Sequence, residues 1–181
     1  MNGFKPSSVV VDGPFCIGNW CPKNYSGGYS GAVTLQLALT KSINIVPVKL
    51  SVAVGNGNAR NGRAKIINLA KQMGIRSPLP DTPSLPIGAD EVTVFDHTAA
   101  YATFPNGGKA VTPHTILEVR NATGDLIWRF DRDGPEPRQV MPPQVAADIN
   151  MILNKAVEQG TGPDTDEPEP AKVHHGGKEH R

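Results

Sequence analysis

The chain has 181 residues, enough to bury one core of respectable size, and a formal net charge of +1 that gives no electrostatic basis for a nucleic-acid partner. Its 19 glycines and 17 prolines predict many turns and long connections, and aromatic residues make up only 6%. No apolar run approaches the length of a bilayer span, and the opening MNGFKPSSVVVDG lacks the charged-then-apolar pattern of a secretory leader.

From the N-terminus, Ser8 to Val11 is a short β-branched run expected to form an extended segment or edge strand, stopped by Asp12-Gly13-Pro14. Residues 13–31 are rich in Gly, Pro, Asn and Tyr and predict a long loop. Trp20, Tyr25 and Tyr29 either line a groove there or pin the loop to the core. Cys16 and Cys21 lie close enough for a small disulfide loop in an oxidising compartment, and otherwise remain two thiols. Zinc would need two further ligands, and the nearest histidine, His97, is remote in sequence.

The stretch from Gly31 to Gly55, GAVTLQLALTKSINIVPVKLSVAVG, predicts two apolar helical segments hinged at Ser42-Ile43-Asn44. Leu35, Ala38 and Leu39 recur at helical spacing before the hinge, with Thr34 placed as N-cap. Val46, Leu50 and Val54 follow on one face of a second helix. Asn44 is positioned to cap that helix, and Pro47 falls in its first turn, where a missing N–H does no harm. A hydroxyl and a carboxamide two residues apart are thereby held at a bend between rigid elements, the arrangement a catalytic constellation requires. Taken alone, however, Ser-x-Asn is a weak signal, because a helix end followed by a cap gives the same letters.

A third helix is expected from about Asn61 to Met73, with Ile66, Ile67, Ala70 and Met73 inward and Gly74 after its end. Arg60, Arg63, Lys65, Lys71 and Arg76 read as a solvated positive face rather than a nucleic-acid patch. Pro78 to Gly88 is proline-punctuated and expected to be non-helical. Asp90 is expected to cap a fourth helix carrying Val92, Phe95, Ala99 and Ala102 on one stripe, with Gly107-Gly108 closing it. His97, near that stripe, has no neighbours that would complete a triad. Thr115–Val119 and Leu126–Phe130 flank the turn Asn121 to Asp125 and predict a β-hairpin with Leu126, Trp128 and Phe130 on one face. Pro142-Pro143 opens a last helix to about Gln159, with Val145, Ile149, Ile152, Leu153 and Ala156 inward. Beyond Pro163, acidic residues interleaved with prolines and then a His- and Lys-rich run predict a disordered tail over 163–181, in which His174-His175 is a solvated pair rather than a metal site.

The segments Trp20-Cys21-Pro22-Lys23-Asn24-Tyr25, Tyr29-Ser30-Gly31, Val33-Thr34-Leu35, Ala38-Leu39 and Ser42-Ile43-Asn44 together resemble the transpeptidase domain of class A (bifunctional) penicillin-binding proteins, which cross-link peptidoglycan. The likeness continues through Pro47-Val48-Lys49-Leu50, Gly74-Ile75, Leu85-Pro86-Ile87-Gly88, Glu91-Val92-Thr93, Ala100-Tyr101-Ala102 and Phe104-Pro105-Asn106-Gly107-Gly108, and ends near Gly160-Thr161-Gly162. It covers most of the chain. The resemblance implies a mixed α/β (α+β) fold, an incomplete version of the serine β-lactamase/DD-transpeptidase fold comprising mostly its helical part with a β-hairpin. On that basis residues 1–162 are a partial transpeptidase domain and 163–181 a divergent tail. It further implies peptidoglycan stem peptides and β-lactams as partners, no cofactor or metal, and a place at the extracytoplasmic face of the inner membrane, although family members carry an N-terminal anchor not seen here.

The family's chemistry is acyl transfer through a covalent serine intermediate, carried by Ser-x-x-Lys, Ser-x-Asn and Lys-Thr-Gly motifs. Serine is a poor nucleophile at neutral pH, so a lysine one helical turn away helps remove its proton. By resemblance Ser42 relays a proton toward the leaving amine and Asn44 hydrogen-bonds the donor peptide. The residue three before each lysine is Asn2, Trp20, Ala38, Val46, Gly62, Asn68, Asn106, Ile152, Glu169 or His175, and no lysine precedes Ser-Gly or Thr-Gly. The expectation is therefore a truncated or frameshifted product that keeps Ser42 and Asn44, lacks the nucleophile, folds marginally and is inactive as it stands. A non-catalytic module binding a cell-wall peptide or a partner is the alternative.

Overall fold

The computed structural model describes residues 2–160. The tail expected over 163–181, with its histidine pair, lies outside them. The element order is β1 (Val9–Asp12), β2 (Gly31–Thr34), α1 (Leu35–Thr40), α2 (Ile45–Val54), α3 (Ala59–Gln72), a 3-10 turn (Leu85–Ile87), α4 (Val94–Tyr101), β3 (Glu118–Arg120), β4 (Leu126–Arg129), a single turn α5 (Phe130–Asp133) and α6 (Pro143–Gln159). The mixed α/β class expected from the resemblance is observed.

β1 begins one residue after Ser8, and its partner β2 occupies residues expected to end the loop and open the first helix. β1 and β2 pair antiparallel with Val10 opposite Val33, and Val33 is buried against Ala38 and Val46. Alternation along the pair puts Val10 inward, while Val9 and Val11 face out. β2 runs straight into α1, whose N-terminus is capped as expected, Thr34 Oγ1 accepting from the Leu37 N–H at 3.1 Å.

α2 lies at the centre of the molecule. Ile45, Val46 and Val48 are buried, whereas Leu50 and Val54 of the expected stripe are only half-buried. The reason is compositional: IVPVKLSVAV is apolar on nearly every side, so no single face dominates, and such a helix belongs inside. α3 packs across α2 at very short range, with Gly62 against the backbone of Ser51. A second cluster, Met73, Ile75, Ala100, Val140, Met141 and Ala146, joins the end of α3 to α4 and the start of α6.

Four local expectations are corrected. Asp90 does not cap α4; Thr93 does, accepting from the Asp96 N–H at 3.1 Å, and Asp90 accepts instead from Thr82. Phe95 is exposed, and the buried positions of α4 are Asp96, Ala99 and Ala100. Asp96 can be buried because it accepts from the hydroxyl and N–H of Ser77 and the N–H of Arg76. These bonds, led by the Ser77 hydroxyl, hold its carboxyl below the usual carboxylate range. Arg63 is not part of a solvated face. It is buried and bonded at 2.5 Å to Asp81, which lies beyond Arg76, the last cation of the stretch that read as a positive face. Pro78 to Gly88 also contains one helical turn, Leu85–Ile87, ending on Gly88 in the left-handed region.

The hairpin of β3 and β4 forms around the expected turn, but β3 begins at Glu118 rather than Thr115 and Phe130 opens α5 instead of ending β4. Leu126, Trp128 and Phe130 are half-buried and Ile127 and Arg129 exposed. α6 spans Pro143–Gln159 and lies along α1, Lys41 Nζ donating to the Gln159 carbonyl.

Candidate functional site

The bend between α1 and α2 is a Schellman closure. The Ser42 N–H donates to the Leu39 carbonyl at 3.1 Å and the Ile43 N–H to the Ala38 carbonyl at 2.9 Å. Ser42 thus occupies the position after the helix that favours glycine, and its φ is 53°, in the left-handed region. Ile43 supplies the hydrophobic contact that accompanies the motif, packing against Val33, Ala38 and Val46. A side chain at this position is costly, so a serine there places a hydroxyl where the backbone alone would have chosen none. Ser42 is exposed.

Asn44 sits at the N-cap position of α2, but its side chain makes no capping bond. Its Nδ2 instead donates to the Lys23 carbonyl at 3.0 Å. The first amides of α2 are capped from a distance by Asn24, whose Oδ1 accepts from the N–H of Asn44 at 3.0 Å and of Ile45 at 3.3 Å. The expectation that Asn44 caps α2 is therefore corrected. Its backbone φ and ψ are helical, −69° and −34°, rather than the extended values with which a cap side chain reaches back over the first turn.

Asn24 is in turn fixed by Asp12 at the end of β1. Its Nδ2 lies 2.9 Å from both carboxylate oxygens and 2.9 Å from the Gly28 carbonyl, and the Ser30 N–H donates to Asp12 at 2.7 Å. Asp12 is 1% exposed. Neither Asp12 nor Asn24 stands out as chemistry in the sequence, and only the folded loop brings them to the hinge.

Ser42 and Asn44 line two cavities. One, of about 560 Å³, is mostly apolar and bounded by Leu35, Leu39, Leu50, Tyr101, Ile149 and Ile152. The other, of about 840 Å³, is more polar and bounded by Asn24, Tyr25, Ser26, Ser30 and Lys41. The two side chains named from the sequence thus share a rim, with a greasy wall on one side and hydroxyls and an ammonium on the other. Tyr25 is fully exposed at the second cavity, and Trp20 is half-buried. Cys16 and Cys21 are disulfide-bonded in the same loop. His97 is exposed, its ring 4.5 Å from that of Tyr101.

The family model of the penicillin binding protein transpeptidase domain matches residues 2–178. The chain belongs to this family. It is 35% identical over 136 residues to penicillin-binding protein 1A of Rickettsia felis, covering 72% of this chain and 16% of that protein. With penicillin-binding protein 1A of Neisseria meningitidis it shares 33% identity over 169 residues, 88% of this chain and 20% of that protein. The chain thus spans about a fifth or less of the length of the curated relatives it matches. Among solved structures, penicillin-binding protein 1A of Haemophilus influenzae superposes with a TM-score of 0.70 at 22% identity, over 90% of this chain and 28% of that one. Penicillin-binding protein A of Mycobacterium tuberculosis, solved as a penicillin G acyl-enzyme complex, gives 0.67 at 22% identity over 86% of this chain and 40% of that one. The fold is therefore that of a penicillin-binding transpeptidase domain in the part this chain covers. Among the described residues no helix is long and apolar enough to cross a membrane.

Proposed function

We propose that this chain forms the Ser-x-Asn side of a peptidoglycan transpeptidase site, holding the donor stem peptide but not forming the acyl-enzyme by itself. The observation that supports this most directly is Ser42, a serine kept in a glycine conformation beside Asn44 at an open cleft. In the reaction a serine oxygen attacks the carbonyl carbon of the peptide's penultimate D-alanine, and the carbon–nitrogen bond to the terminal D-alanine breaks. The departing amine needs a proton, and the exposed hydroxyl of Ser42 is placed to relay it. The Asn44 carboxamide, steadied through Nδ2 by the Lys23 carbonyl, presents Oδ1 as an acceptor for a peptide N–H. No serine in the chain stands three residues before a lysine, so nothing here supplies the activated nucleophile.

The place of action that follows from this reading is the extracytoplasmic face of the inner membrane, and β-lactams are the expected inhibitors of the completed site. A labelled-penicillin gel on the purified chain tests it. No covalent band is expected, whereas a synthetic stem pentapeptide ending in two D-alanines binds reversibly and Asn44→Ala weakens that binding. A penicillin band, or binding indifferent to Asn44, overturns the proposal. The alternative, a non-catalytic module for a partner protein, is favoured only by the apolar cavity and is distinguished by peptide binding that never occurs.

A further inference from the structure

We propose that Asn24 and Asp12 are positioning residues for the Ser42-Asn44 bend, setting its geometry without touching the substrate. The inference deepens the proposed function and rests on Ser42 and Asn44 being the pair that faces the peptide.

The bend needs outside support for two physical reasons. Ser42 is left-handed, a state that costs a non-glycine residue free energy and persists only where the surroundings over-determine it. The following helix also lacks a cap of its own, because the Asn44 side chain is turned away toward Lys23. Its first amides would be orphaned at the edge of the core.

One carboxamide, from a residue twenty positions earlier, supplies the missing cap and ties the residues that follow Ser42 to the end of β1. Asn24 Oδ1 accepts from the Asn44 and Ile45 amides, fixing the helix start, and Asn24 Nδ2 donates to Asp12 and Gly28. An amide side chain accepts at one end and donates at the other, whereas an ionised aspartate only accepts, so asparagine and not aspartate suits this place. The buried Asp12 carboxylate selects that orientation: an inverted amide would turn its oxygen on a carboxylate and its N–H₂ on two N–H donors. Asp12 also collects the Ser30 N–H, so the strand end, the loop and the hinge are locked by one charge. The neighbouring Lys23 carbonyl, held by the same turn, orients the Asn44 carboxamide. Removing Asn24 therefore frees both the backbone and the side chain of the proposed peptide contact.

The test uses amide hydrogen exchange by NMR on the full chain, together with binding of the D-alanine-terminated pentapeptide. Asn24→Ala is expected to speed exchange at the Asn44 and Ile45 amides by about tenfold, the scale of a lost helix cap with orphaned donors. Exchange at Ile66 and Leu69 in α3 stays unchanged, and peptide affinity falls by a similar factor. Asn24→Asp alone sets two carboxylates face to face and has the same or a larger effect. The exchanged pair, Asp12→Asn with Asn24→Asp, restores an acceptor for the helix amides and a donor between the two side chains but leaves the Gly28 carbonyl without its donor, so protection and affinity return in part. If Asn24→Ala does not fold, the contrast between Asn24→Asp and the exchanged pair decides.

Unchanged exchange at Asn44 and Ile45, uniform acceleration across the chain, or failure of the exchanged pair to recover any part of what Asn24→Asp loses overturns the positioning role. Failure of the underlying reading looks different. Asn44→Ala then leaves pentapeptide binding unaltered while Asn24→Ala still loosens the hinge amides, which upholds the support and removes the peptide.

Discussion

Gly62 faces Ser51 so closely that a β-carbon on Gly62 would lie 1.7 Å from the Ser51 carbonyl oxygen. The obstacle is backbone, not a side chain that can swing aside. Gly62→Ala gains about 1 kcal/mol of helix propensity yet forces α2 and α3 apart, and overpacking of this kind costs about 1–3 kcal/mol or more. The net loss of stability is expected to reach about 2 kcal/mol, read as a lower urea midpoint. Gly62→Ala unfolding at the wild-type midpoint would mean that the two helices are less tightly apposed than described.

Ser42→Gly should do the opposite. The left-handed conformation costs serine roughly 1–2 kcal/mol, and the greater freedom of glycine in the unfolded chain offsets roughly half of that. A net stabilisation of about 0.5–1 kcal/mol is expected in urea unfolding, accompanied by loss of the hydroxyl proposed to serve the leaving amine. Unaltered or reduced stability would show that Ser42 is comfortable where it stands.

The Arg63–Asp81 contact predicts an asymmetry between partners. The Arg63 side chain is 9% exposed and that of Asp81 38%. Losing Asp81 leaves a buried guanidinium with no counter-charge, whereas Arg63→Met removes the charge and keeps much of the volume. Asp81→Ala is therefore expected to destabilise more than Arg63→Met in thermal unfolding at neutral pH, and the reverse order would refute the burial argument.

Acid sensitivity follows from Asp96. Its folded carboxyl is held below the value of about 3.9 it has in an unfolded chain. Between the two values the unfolded state binds more protons than the native state, so stability there rises with pH. The contribution is fully present at neutral pH and declines as pH falls below about 4 through the folded value. The stability difference between wild type and Asp96→Ala is expected to be constant from pH 7 to about 5 and to shrink below about 4. A difference that grows on acidification would contradict the hydrogen-bond assignment.

Where the sequence was legible, short-range physics decided the outcome. Thr34 capping α1, the hairpin around Asn121 to Asp125, and α6 from Pro143 to Gln159 all depend on neighbours within a few residues. What escaped was decided at long range. β2 was hidden because Gly31 to Thr34 is too short to show a period and merges with α1, and its pairing partner lies beyond an eighteen-residue loop. The Asn44 side chain was assigned to the nearest available task, capping, because a rival cap twenty positions upstream leaves no trace in local spacing. Arg63 looked solvated because its counter-ion follows the stretch that defined the patch. The Ser42-Asn44 rim itself was legible, through the bend between two apolar runs and the family likeness around it.

The small sheet has a consequence for handling the molecule. Among the described residues β1 pairs only with β2, and Val9 and Val11 stand 62% and 57% exposed along it. An open strand border carrying β-branched side chains is a template for another copy. Self-association should therefore rise with concentration, and sedimentation across a dilution series is the control that must precede any measurement of ligand affinity.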